Sequence, residues 1–285
     1  MTVDLALPDL ELGDHVCAPF SSAEQQLTDT TGFTEHALRC GGRVVVCTES
    51  VTPEAMREWL RARVPGLAGA AAAGAVEDGR LNVLASREVY LEGDVFDPDR
   101  VMDWYAAEIE YAEREGYAGL WAIVDMAWSR REVPGAELLL DYETDANPGF
   151  TERRAAAVCQ YDRRLFSAQQ VERASRAHPI TLGQAPLRFF TTADPAALVL
   201  TGEVDLSNCD ALAAILKTLA LADGEVTIDA TGLAFADVRG AHLLAAAGAD
   251  RSGHTTIACS GCLAHLLHII GAGTLAGVTV RETAV

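Results

Sequence analysis

The chain has 285 residues, 49% of them hydrophobic and 22% charged, and its 22 Lys and Arg against 41 Asp and Glu give a net charge of −19. That length predicts two domains, and this apolar content excludes a disordered chain. The acidity argues against nucleic-acid or anionic-membrane binding, since both need basic patches, and it points to basic proteins or neutral small molecules as company.

The first ten residues hold Asp4 and Asp9 and no basic side chain, so no secretory signal is expected. Residues 252–280 are uncharged, but three histidines and five glycines make that stretch soluble core and not a membrane span. Seven cysteines, an odd number, fit reduced thiols in a cytoplasm.

In chain order, Gly41-Gly42 precedes a β-branched run at 44–47 that reads as a buried strand. Pro53 opens a helix over 54–63 with Thr52 as its N-cap. The alanine-rich stretch 67–76, broken by Gly69 and Gly74, reads as a loose helix or loop. Residues 81–84 form a strand, and Pro98 begins a helix through 115 with Val101, Tyr105, Ile109 and Ala112 on one face. A strand at 120–124, a helix around 135–145 and a mixed segment ending in Cys159-Gln160-Tyr161 follow. Alternation of this kind predicts a mostly parallel sheet with helices on both faces.

Pro179, Gly183 and Pro186 punctuate the chain, so the boundary is placed between a domain over 1–182 and another over 187–285. The first then carries −14 of the net charge and the second −5. The second reads as strands at 187–191 and 197–201 joined by a turn at Asp194-Pro195, then a helix capped by Ser207 or Asn208 and reaching 222. A strand at 226–229, a helix over 238–249, a strand at 255–258, a helix over 263–270 and a strand at 278–281 complete it. The order β-β-α-β-α-β-α-β predicts a compact α/β sandwich.

Leu200-Thr201-Gly202-Glu203-Val204-Asp205, and then Thr227-Ile228-Asp229-Ala230-Thr231-Gly232-Leu233-Ala234-Phe235-Ala236-Asp237, resemble the STAS family of anti-sigma factor antagonists. Leu266-Leu267-His268-Ile269-Ile270-Gly271 is similar to that family's closing helix. The resemblance implies an anti-sigma factor or kinase-like partner, docked around Asp205, Asp237, Val238, Arg239 and Gly240. The family's phosphorylated serine follows the Asp directly, but Val238 stands there and offers no hydroxyl, so a charge switch of about −1.5 to −2 cannot be installed. Any kinase effect would have to map elsewhere, for example to Ser207 or Thr231.

Gly13-Asp14-His15-Val16-Cys17, Asp125-Met126-Ala127-Trp128, Tyr142-Glu143, Cys159-Gln160-Tyr161-Asp162-Arg163-Arg164-Leu165-Phe166 and His178-Pro179 are similar to the MEDS family. These are sensory domains of methanogen and methylotroph regulators, including dichloromethane-responsive ones. The resemblance implies a RecA-like sheet that senses a small organic compound. ATP chemistry is not expected, because no G-x-x-x-x-G-K-[ST] loop is present and the only lysine, Lys217, lies in the other domain.

His15, Asp125, Trp128, Glu143, Tyr161 and Asp162 are the candidate ligand contacts, with Asp125 and Asp162 at strand ends where open α/β sheets form a crevice. The competing reading pairs Asp162 with Arg163 or Arg164 and buries Trp128 in the core. His178 matches the family but reads more readily as structural, and Cys47 and Cys159 read as small core residues. Cys259-x-x-Cys262-x-x-His265-x-x-His268 has poor spacing for a four-ligand site on a helix, so no metal site and no cofactor are expected. The leading expectation is a non-enzymatic cytoplasmic regulator that takes a small-molecule ligand and a protein partner, with homodimerisation allowed. Two alternatives are a small-molecule or nucleotide-binding enzyme using Asp125 with Glu143 or His15, and a metal or redox sensor using Cys259 and Cys262.

Overall fold

The computed structural model describes residues 7–67, 79–193, 196–221 and 224–283. Most of the alanine-rich stretch 67–76 and the turn at Asp194-Pro195 lie outside the described residues. Six strands in the first part are β1 (His15–Phe20), β2 (Arg43–Thr48), β3 (Leu81–Ala85), β4 (Leu120–Asp125), β5 (Ala155–Asp162) and β6 (Ile180–Thr181). They form one parallel sheet in the order β3-β2-β4-β5-β1-β6.

Strands of such a sheet are covered on both faces, so they read as unbroken apolar runs, and β2 and β4 are buried at every position. Among the described residues six α-helices accompany them: α1 (Ala23–Arg39), α2 (Pro53–Arg63), α3 (Ser86–Tyr90), α4 (Pro98–Arg114), α5 (Leu139–Asp145) and α6 (Ala168–Ala177). One face of the sheet, with Val16, Val44, Ile123 and Val158, packs on Phe33 of α1 and Leu60 of α2. The other, with Cys17, Val45, Val124 and Cys159, packs on Val101 of α4, Tyr142 of α5 and Val171 of α6. Thr52 caps α2 as its sequence predicts, accepting from the Ala55 amide at 3.3 Å.

In the second part, β7 (Leu187–Ala193), β8 (Ala196–Val204), α7 (Cys209–Lys217), β9 (Val226–Ala236), α8 (Val238–Ala249), β10 (Thr255–Cys259), α9 (Gly261–Ile269) and β11 (Val278–Glu282) follow the predicted order. The sheet runs β11-β10-β9-β8-β7, with β7 antiparallel to β8 and the remaining pairs parallel. Burial alternates along β7, β8 and the start of β9, so one face meets the helices through Leu212, Ile215, Leu244 and Leu267. Strand β9 continues past the predicted end at Asp229 to Ala236. Its Thr231-Gly232 step has turn composition, but register shifts against β8 absorb it and pairing resumes.

The two parts are in contact. Arg188 of β7 grips the buried Asp14 carboxylate through two hydrogen bonds of 3.0 and 2.9 Å. Arg176 of α6 pairs with Asp210 of α7 at 3.1 Å, and the Thr191 amide donates to the Thr151 carbonyl at 3.1 Å. Phe150 packs against both hydrophobic cores. Among the described residues no helix is long and apolar enough to cross a membrane.

Gly202 on β8 holds φ +94°, and a Cβ there would stand 1.8 Å from the Pro186 carbonyl oxygen. Left-handed strain and the clash act together, so Gly202→Ala should cost about 2–4 kcal/mol. Thermal unfolding followed by circular dichroism should show the midpoint of the C-terminal part lowered by roughly 10 °C or more. An unchanged midpoint would refute this account of the strand.

Candidate functional site

Strands β4 and β5 send alternate side chains to one face, Leu120, Ala122 and Val124 from the first and Ala155, Ala157 and Cys159 from the second. The alanines are too short to meet α4, and a cavity of about 320 Å³ remains between the sheet and Met102, Tyr105, Ala106 and Ile109. Tyr90, Tyr142 and Phe150 add aromatic walls, and the exposed Met102 and Ala106 stand at its rim. This volume is at the lower end for ligand pockets, and apolar walls with a few converging polar groups are their usual composition.

The polar end is formed by His15, Glu143 and Cys159. Glu143 is buried on α5, and its Oε2 lies 3.3 Å from His15 Nε2, 3.4 Å from His178 Nε2 and 3.6 Å from Cys159 Sγ. The Tyr161 hydroxyl donates to the other carboxylate oxygen at 2.8 Å. Asn147, four residues after Glu143, gives its amide hydrogens to the carbonyls of Glu143, Thr144 and Ala177, which turns its Oδ1 toward His15 Nδ1 at 2.9 Å. His178 donates through Nδ1 to the Ala174 carbonyl at 2.7 Å. The His15 ring stacks on Phe150 at 4.7 Å with an interplanar angle of 7°.

Burial opposes charge on Glu143, yet the two histidines beside it, His178 and His15, outweigh that and hold the carboxyl well below the usual range. Burial, then the neighbouring His178, lowers His15, so its imidazole is neutral. Burial, reinforced by the Glu143 charge, pushes the Cys159 thiol well above its ordinary value. Cys159, His15 and Asn147 stand in the order of a cysteine nucleophile, its base and its orienter, with Sγ 3.7 Å from His15 Nε2. A carboxylate beside the sulfur opposes the thiolate that such chemistry needs.

The other candidates fall elsewhere. Asp125 does not line the cavity; its carboxylate accepts from the amides of Ala127, Glu49 and Ser50 and so ties the end of β4 to a neighbouring loop. Trp128 is core, stacked on Tyr90 at 4.7 Å. Asp162 is gripped by Arg164, as the competing reading held, and Tyr161 reaches the site only through Glu143. The cavity lies on the face of the sheet and not at the strand ends. Among the described residues the one grouping of three or more ligand-bearing side chains is His15, Glu143, Cys159 and His178, and Cys259, Cys262, His265 and His268 form none. Asn147, Cys159 and His178 are the site residues that sequence reasoning assigned to structure or passed over. The Glu143–Asn147 spacing of four, one helical turn, is the signal that could have linked them.

On the C-terminal part, Val238 opens α8 and is 54% exposed, with Phe235 and Leu206 similarly exposed. Asp237 caps α8 through the Gly240 amide at 2.7 Å, and Asp205 accepts from Ser207. Arg239 pairs with Asp210 at 3.0 Å. Gly240 belongs beneath this face and not on it, since a Cβ there would meet Val204 at 2.6 Å.

The structure thus sets a parallel six-stranded sheet with a small-molecule-sized cavity on one face beside a five-stranded module with an exposed apolar helix start. Residues 14–179 match the family described as MEDS, the methanogen/methylotroph, DcmR sensory domain, and the chain belongs to it. Residues 188–280 match the family described as Mlab, STAS domain. No curated protein matches the chain. The two modules indicate a regulatory or signalling role, and a STAS module is a protein-interaction unit.

Five of the seven cysteines are buried, and burial pushes the Cys17 and Cys47 thiols up to about 12. A thiol reagent at neutral pH should therefore label Cys40 and Cys262 alone in the native protein, and all seven after denaturation. Rapid native labelling of Cys159 would contradict the geometry given for the site.

Proposed function

We propose that this protein senses a small, neutral, largely apolar molecule in the cavity beside His15, Glu143 and Cys159, and passes that state to a protein partner of the STAS module. The observation that carries this reading is the position of Phe150, which lines the cavity, stacks on His15 and packs against both cores. Apolar walls favour ligands by about 0.8 kcal/mol per buried methylene, while the ionised Glu143 at the polar end disfavours anions. A second path runs from α6 to the docking face. Asp210 bridges Arg176, two residues before His178, to Arg239, which adjoins Val238. At the strand ends Asp125 is committed to backbone amides and Asp162 to Arg164, which supports a sensor over an enzyme.

Ligand binding is tested by thermal shift with a panel of short haloalkanes, alcohols and small arenes. Neutral apolar members should raise the unfolding temperature. Ala106→Trp, at the exposed rim, should weaken them at least tenfold while leaving the unliganded midpoint in place. Failure of every neutral compound, or indifference to Ala106→Trp, would remove the sensory reading.

The partner is proposed to be an anti-sigma factor or kinase-like regulator in the cytoplasm, docking around Phe235, Val238 and Arg239. Affinity capture from the native cytoplasm should recover such a protein. Val238→Asp should reduce capture tenfold or more with ligand binding intact, whereas equal capture by Val238→Asp would place docking on another face.

A further inference from the structure

Four groups that ordinarily bind metals face one another in the interior: His15 Nε2, His178 Nε2, the Glu143 carboxylate and Cys159 Sγ all lie within 4.8 Å of one another. The hydrogen bonds behind them settle which atoms face inward. Asn147 presents an oxygen to His15 Nδ1, and an oxygen can only accept, so the proton of the neutral ring is on Nδ1 and the lone pair on Nε2. His178 Nδ1 likewise gives its proton to the Ala174 carbonyl, which in a neutral ring leaves the lone pair on Nε2. Two imidazole lone pairs and a carboxylate oxygen therefore converge, and the available donors are only the Cys159 thiol and the Tyr161 hydroxyl, which is already committed to Oε1. His178 Nε2 is left buried with no hydrogen-bond partner. Three converging acceptors, the unpaired His178 ring nitrogen among them, are costly in a closed interior unless a cation stands among them.

The distances suit one. Bonds of about 2.0–2.3 Å in tetrahedral arrangement separate neighbouring ligand atoms by roughly 3.3–3.8 Å. Four of the six edges are 3.3 Å (His15 to Glu143), 3.4 Å (His178 to Glu143), 3.6 Å (Cys159 to Glu143) and 3.7 Å (Cys159 to His15), and the two from His178 to His15 and to Cys159 are within 4.8 Å. An outer ring of partners for the ligands is also in place: Asn147 behind His15, the Ala174 carbonyl behind His178 and Tyr161 on Glu143. We propose that His15, Glu143, Cys159 and His178 bind one divalent transition-metal ion of the zinc class at the inner wall of the cavity.

Binding takes the proton from the Cys159 thiol and releases it to solvent, leaving a thiolate on the metal. The two positive charges of the ion are then balanced by that thiolate and the Glu143 carboxylate, and both imidazoles stay neutral. A buried site with no net charge avoids the penalty that an unpaired ion would carry. One soft sulfur, two imidazoles and one carboxylate favour zinc over magnesium or calcium, which prefer all-oxygen sites. His15, Glu143 and Cys159 are the proposed ligands that also face the cavity. The proposal goes beyond the sensory reading and stands without it.

The test uses the full chain, stripped by chelator and then titrated with Zn(II), and with Co(II) as a spectroscopic stand-in. The expected result is one ion per chain, with the intense visible bands of four-coordinate cobalt and a near-ultraviolet thiolate-to-cobalt charge-transfer band. Cys159→Ser, close to isosteric, should abolish the charge-transfer band, while Cys262→Ser should leave it untouched. His178→Ala should weaken binding a hundredfold or more, and Tyr161→Phe about 10–100-fold through the outer ring. Circular dichroism on each variant separates lost ligation from lost folding, and Cys159→Ser and Tyr161→Phe preserve the test if His178→Ala fails to fold. Absence of stoichiometric binding, or a cobalt spectrum indifferent to Cys159→Ser and Tyr161→Phe, would overturn the proposal in favour of a proton-only pairing of Glu143 with the histidines. The Ala106→Trp variant keeps the two readings apart, because it blocks the organic ligand and should leave cobalt binding unchanged.

Discussion

A carboxylate buried without partners costs several kcal/mol, and much of the N-terminal module is arranged around that constraint at Glu143. Its partners come from separate segments: His15 begins β1, Tyr161 and Cys159 lie on β5, and His178 joins α6 to β6. Satisfying one side chain therefore fixes how α5 and α6 sit against the sheet. Asn147 extends the hold, since its amide joins the end of α6 to the turn after α5 while its oxygen orients His15. Loss of any one partner would leave the charge buried and less compensated, so the arrangement is cooperative by construction.

The same segment reaches the STAS module. Phe150 follows Asn147 by three residues and touches both cores, and Thr151 carries a backbone hydrogen bond to β7. Asp14, one residue before His15, is clamped by Arg188 on the same strand β7. The polar end of the cavity is thus bracketed on both sequence neighbours by contacts to the second module. Small displacements of His15 have little freedom to be absorbed locally, because packed interiors transmit strain and do not yield to it.

The fold was legible where apolar periodicity was strong. The runs at 44–47 and 120–124 became the fully buried β2 and β4, and the C-terminal order of strands and helices followed the predicted sequence. Helix α1 gave no such signal because its inner face includes Gln26, Thr30 and Thr34, buried polar residues whose hydroxyls, in the two threonines, are satisfied by carbonyls one turn earlier. Of the site, His15, Glu143 and Tyr161 were visible as residue types matching a family. Cys159 and His178 were read as structure, since sequence shows neither the convergence of their lone pairs nor the orphaned Nε2. Asp125, Asp162 and Trp128 were drawn in by the rule that ligands bind at strand ends. Here the small side chains of Ala122, Ala155 and Ala157 open the space on the face of the sheet instead.

Val238 gives the proposed signalling route its physical logic. A phosphoserine would act on the start of α8 by adding negative charge directly, and the valine forbids it. The charge beside Val238 is Arg239, and it is held by Asp210, a carboxylate shared with Arg176 of the sensory module. A rearrangement around His178 that shifted Arg176 would change how strongly Asp210 holds Arg239, and so the charge offered at the docking face. In this reading an internal ion-pair exchange at the interface between modules occupies the role that a covalent phosphate would otherwise fill. Partly exposed pairs of this kind contribute only about 0.2–1 kcal/mol each, which suits exchange, since neither partner is locked in place.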